Sequence, residues 1–180
     1  MTDTGYMLVA LRRISPSKQE NVGLTKKCHR MVVRPGEPLN EVAEKLQDLC
    51  TDKGTWRLYR SVNKRNFSEG LKLLQVEMIL KPELIMFKVS SVWKSILMKN
   101  KCRAERKFLI DIDNDSETYL QKVKQFINDI SNELILEEVK TPNGFHLVAS
   151  TFDHRMLTKT FLDVEVKTDD LFFMKLWEND

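Results

Sequence analysis

Two stretches of this chain hold residue types that could act together chemically: Arg106-Lys-Phe-Leu-Ile-Asp-Ile-Asp113 and, further along, Thr141-Pro-Asn-Gly-Phe-His146. Successive side chains of a strand point to opposite faces, so Asp111 and Asp113 share a face and can aim two carboxylates at one divalent cation. Hard cations such as Mg²⁺ or Mn²⁺ take oxygen ligands and usually arrive with substrate phosphates. A carboxylate pair beside basic residues therefore points to phosphate-ester chemistry, in which bound ions activate the attacking oxygen and stabilise the leaving one.

The elements that must position these groups are legible in the last third of the chain. A strand over residues 106–113 leads to a helix over 116–132, with Asn114 and Glu117 as a capping pair at its start. A strand over 134–140, a Pro142-Asn143-Gly144 turn and a strand over 145–150 form a hairpin. A short helix over 153–161, a strand over 163–167 and an extra strand over 171–177 complete the order β-α-β-β-α-β plus one. That order is the ferredoxin-like, RNA-recognition-like arrangement, in which helices cover one sheet face and leave the other open. Alternation puts Phe108, Ile110 and Ile112 toward the helices and Lys107, Leu109, Asp111 and Asp113 on the open face. His146 falls opposite Phe145 and Leu147, and Asp163, Glu165 and Lys167 opposite Val164 and Val166. First and third strands are neighbours in such a sheet, so His146 is expected beside Asp111 and Asp113.

The first part reads as an α/β lobe. Strands are expected over 6–14, 31–34 and 56–62, a loop over 16–27, and helices from Leu39 to Cys50, over 66–80 and from Pro82 to Met98. The fold class is α+β, with the α/β lobe (1–100) packed on the ferredoxin-like lobe (101–180) in a single compact domain over 1–180. At 180 residues, one well-buried unit is the default. The 42% hydrophobic and 31% charged content excludes wholesale disorder. No stretch approaches the roughly 20 apolar residues of a membrane span, and no signal-peptide pattern opens the chain, so a cytoplasmic location and no membrane partner are expected. Three well-separated cysteines exclude a disulfide framework and a Cys-x-x-Cys zinc site.

The net charge of +3 is mild, but its distribution is uneven. Lys99, Lys101, Arg103, Arg106 and Lys107 lead into the aspartate strand, and Arg57, Arg60, Lys64 and Arg65 form a second cluster. Arg57, Arg60, Lys64, Lys101, Arg103 and Lys107 are candidate phosphate contacts, with a solvated face as the alternative. No phosphate loop, dinucleotide-binding glycine turn or nucleophile elbow is present. Cys28 and His29 are adjacent on a strand and point apart, which excludes them as a nucleophile-base pair.

The Asp-hydrophobic-Asp strand end, the later strand carrying His146 and the acids beyond it resemble the catalytic core of the archaeo-eukaryotic primase and primase-polymerase superfamily, over roughly residues 56–170. The resemblance implies a metal-dependent nucleotidyltransferase. In it Asp111 and Asp113 bind Mg²⁺ or Mn²⁺, His146 contacts the incoming nucleotide, and Asp163 or Glu165 supplies a third acid, with Asp169 and Asp170 open alternatives. Nucleotides and DNA or RNA are the implied partners. The chain also resembles small proteins of tailed bacteriophages, implying the host cytoplasm as its location. Two rivals stand beside the enzyme reading: a non-catalytic nucleic-acid-binding module with a basic rim, and an interaction module using Leu171-Phe-Phe-Met174.

Overall fold

Residues 3–13, 27–131 and 135–179 are described by the structure, a computed structural model. They form an α+β protein with two antiparallel sheets. The chain divides into one unit of Met1–Glu105 with Met174–Asp180 and another of Arg106–Phe173.

The first unit contains β1 (Thr4–Arg13), β2 (Cys28–Val33), α1 (Leu39–Asp48), β3 (Gly54–Ser61), β4 (Arg65–Asn66), α2 (Phe67–Leu80), α3 (Pro82–Leu97) and a 3₁₀ turn at Asn100–Cys102. Leu8, Ala10, Trp56 and Leu58 alternate onto one sheet face, where Val42, Ala43 and Leu46 of α1 pack against them. β1 pairs antiparallel with both β2 and β3. β2 begins at Cys28, ahead of the expected 31. His29 and Arg30 hide the strand in the sequence because they are polar, yet they pair with Ala10 and Val9. Asn66 caps α2 by accepting from the Glu69 N–H. α3 starts at Pro82, suited to the first helical turn, and is broken at Lys88, where φ is −134°. The expected loop over 16–27 lies, as far as residue 26, outside the described residues.

The second unit runs β5 (Lys107–Ile112), α4 (Glu117–Ser131), β6 (Ile135–Thr141), β7 (Gly144–Ser150), α5 (Arg155–Thr160) and β8 (Val164–Lys167), in sheet order β6-β7-β5-β8. Ile110, Ile112, Phe145, Leu147 and Val164 face Leu120, Val123 and Ile127 of α4 and Leu157 of α5. Gly144 lets β7 approach the end of β5, since a Cβ there would lie 1.9 Å from the Ile112 carbonyl oxygen. The start of α4 differs from expectation. Ser116 accepts from the Tyr119 N–H, and Asn114 accepts from the Ser116 N–H in a local turn, so Ser116 takes the capping role expected of Asn114 and Glu117.

The sheet face away from α4 and α5 is not open throughout. Leu109 and Val148 are cross-strand partners on that face and both are buried, as is His146. Along that face the apolar Leu109–Val148 pair lies between two polar pairs, Lys107–Ser150 at one end and Asp111–His146 at the other. The last strand, β9 (Leu171–Asn179), starts in the second unit, but from Met174 it belongs to the first and lies beside β3 in the sheet order. The lobe expected to run to residue 180 therefore ends at Phe173. No helix among the described residues is long and apolar enough to cross a membrane.

Candidate functional site

Asp111 sits near the end of β5, in register with His146 of β7 on one side and Glu165 of β8 on the other. Alternation fixes this, because Ile110 and Ile112 occupy the core side and leave Asp111 opposite. Its Oδ1 lies 3.3 Å from His146 Nε2, and its Oδ2 lies 2.9 Å from Lys167 Nζ. The Phe173 backbone N–H donates to His146 Nδ1 at 3.1 Å. With Nδ1 accepting, the imidazole proton resides on Nε2 and is donated to Asp111. The Phe172 ring, 6.2 Å from the imidazole between centroids, flanks the same histidine.

Lys167 draws the rest of the cluster together. Its ammonium is 3.1 Å from Glu165 Oε2 and 3.5 Å from Asp170 Oδ2, besides the bond to Asp111. Three carboxylates thus converge on one cationic nitrogen. The hydrogen bond from His146 holds the Asp111 carboxyl down at about 2; burial opposes this and the Lys167 hydrogen bond reinforces it. Burial pulls the Lys167 ammonium toward deprotonation, but its bonds to Asp111 and Glu165 outweigh that and keep its pKa above the ordinary value.

Of the residues expected at this site, Asp111, His146 and Glu165 come together. Asp113, just past the strand, is exposed, and among the described residues no basic side chain pairs with it. Its N–H donates to the Asp163 carbonyl. The Asp163 carboxylate turns toward the start of α4, accepting from Asn114 Nδ2 at 3.3 Å, apart from the Lys167 cluster. Sequence reasoning passed over Lys167 as a partner, although its place two residues after Glu165 on the same strand face was the available signal. Asp170, an alternative acid on the sequence pattern, does reach the cluster.

The expected phosphate contacts separate. Arg60 is buried, its guanidinium 5.0 Å above the Tyr6 ring and its Nη1 donating to the Ser61 carbonyl. It falls on the α1 side of β3 with Trp56 and Leu58, which removes it from the surface and corrects that expectation. Arg57 is partly buried. Lys64 and Lys101 are exposed, and Lys64 lies close to Arg103 through the Ala104 N–H to Lys64 carbonyl bond and the Arg65–Arg103 bridge. Lys107 belongs to the second unit. The cysteines carry no disulfide among the described residues, and burial pushes the Cys50 thiol up to about 11, which suits an inert core thiol.

The groups around Lys167 are all carboxylate oxygens, and both Asp111 oxygens already have protein partners. Among the described residues no group of three or more His, Cys, Asp or Glu side chains is assembled to hold a metal ion. Comparison with protein-family models, curated proteins and solved structures finds no match to this chain.

Proposed function

We propose that the protein acts on nucleotides or nucleic acid, and that the Asp111 cluster supports divalent-metal-dependent nucleotidyl transfer of the primase-polymerase type. The observation that carries this reading is the convergence of Asp111, Glu165 and Asp170 on one cationic atom beside His146. In this reading Arg106–Phe173 is a ferredoxin-like unit, supported by its β-α-β-β-α-β order and by the first strand lying between the third and fourth. Asp111, Glu165 and Asp170 would hold Mg²⁺ or Mn²⁺, with the exposed Asp113 two residues along as a further oxygen donor from outside the cluster, and the ion when bound would neutralise phosphate oxygens and activate the attacking oxygen. Lys167 would turn from the carboxylates to a phosphate, and His146, its tautomer set by the Phe173 N–H, would release Asp111 as the carboxylate turns to the metal and offer its Nε2–H to the nucleotide.

The test is titration of Mn²⁺ into the protein, with and without a nucleoside triphosphate, compared with an Asp111→Ala/Asp113→Ala variant. Nucleotide-enhanced metal binding that the variant loses is expected, followed by primer extension. Absence of metal binding in both proteins would reject the enzyme.

A second reading, a non-catalytic nucleic-acid-binding module, is favoured by charge. The first unit carries 21 Lys and Arg against 13 Asp and Glu, formally +8, whereas the second carries 8 against 13, formally −5. Oligonucleotide binding that survives removal of divalent metal, without extension activity, would select it.

A further inference from the structure

The α2–α3 helix pair is apolar where none of the described residues covers it. Val76, Met78, Ile79, Leu80, Phe87 and Val89 are all exposed, Ile79 by 80% and Phe87 by 82%. The two helices pack where Gly70 meets Trp93 and Leu97, near the start of one and the end of the other. Their opposite ends, which meet at Lys81, are where the exposed apolar residues lie.

At 100° per residue Val76, Ile79 and Leu80 lie within one arc of α2, whereas Met78 lies on the far side. The apolar surface therefore wraps around the helix. A helix that is apolar on more than one side is built to be surrounded. A helix lying on a bilayer needs one strongly polar face, which this one lacks.

We propose that the α2–α3 pair is the interface with a second copy of this chain, two helix pairs interleaving about a two-fold axis. Area and charge argue for that occupant. The six side chains expose on the order of 700 Å², close to the roughly 800 Å² that each partner gives to a standard interface. Lys81 is already paired with Glu77, but Glu83 and Lys88, which flank Phe87 on α3, have no ion partner among the described residues. In a two-fold contact the same patch meets itself, so Glu83 of each copy can pair with Lys88 of the other. An anionic bilayer would pair with Lys88 but leave Glu83 without a partner, whereas a second copy satisfies both.

The experiment is sedimentation velocity on the full chain across micromolar concentrations. A dimer is expected for the wild type. Ile79→Glu/Phe87→Glu should weaken it by roughly thirtyfold or more, the loss expected of buried anchors, with unchanged circular dichroism and a melting midpoint that no longer depends on concentration. Glu83→Lys and Lys88→Glu should each weaken the dimer, and the double swap should restore it; that arm keeps the test decisive if the first variant misfolds. A wild type that stays monomeric, a dimer indifferent to every one of these changes, or a monomer that cosediments with phosphatidylserine-containing vesicles would overturn the proposal.

Discussion

At the scale of single residues, Lys167 decides what the acid cluster can do. An ammonium among three carboxylates is either a permanent counterion or a cation that a metal must displace. Lys167→Met separates these: if the acids are metal ligands, Mn²⁺ should bind about tenfold more tightly to the variant, a gain of ~1.4 kcal/mol. Unchanged or weaker binding would make the cluster structural. Asp111 yields a pH prediction. Its folded pKa, about 2, lies below its ordinary 3.8, so its stabilisation is fully present above the ordinary value and is lost as pH falls from about 4 toward 2. The side chain is one-fifth exposed, and roughly 2 kcal/mol is at stake. Urea unfolding should show Asp111→Asn less stable by about that amount at pH 7, with the gap closing as pH approaches 2. A gap independent of pH would mean the loss comes from something other than the carboxylate's charge.

At the scale of elements, β7 depends on a residue without a side chain. Gly144→Ala drives a methyl group into the Ile112 carbonyl and should cost roughly 1–3 kcal/mol in thermal or denaturant unfolding. A neutral result would mean that the hairpin shifts freely. The reach of sequence reasoning is clearest here. The pairing of Asp111 with His146 was readable because β5 and β7 each bury one alternating set, and a one-residue slip would expose Ile110 or Leu147. The burial of Leu109 and Val148 was less so: alternation says which side a residue takes, not whether that side meets solvent. Arg60 illustrates the same limit, since its type argued for phosphate while its register with Leu8 placed it in a packed layer. The convergence of Glu165 and Asp170 on Lys167 depends on side-chain reach, which no spacing rule encodes.

At the scale of the whole molecule, the proposed nucleic-acid reading has a salt signature: if the formal +8 of the first unit holds an oligonucleotide, binding falls steeply with salt. Raising salt from about 50 to about 200 mM should cost tenfold or more in affinity if several phosphates are contacted. Lys64→Glu/Lys101→Glu should weaken binding across sequences alike and flatten the salt dependence; an unaffected slope would move the contact surface elsewhere. This is also where the sequence was least readable, because the partner of the final strand is chosen over a long separation that local patterns cannot specify.

That final strand makes the first unit a structure interrupted by another. On the ribosome, β3 emerges well before the strand that will lie beside it, and the whole of Arg106–Phe173 must be synthesised in between. At about 5–20 residues per second this interval lasts several seconds. For that time the nascent chain carries an unpaired sheet edge, the feature most open to mispairing with another chain. The timing of translation, as much as the stability of the finished sheet, therefore governs how safely this protein is made.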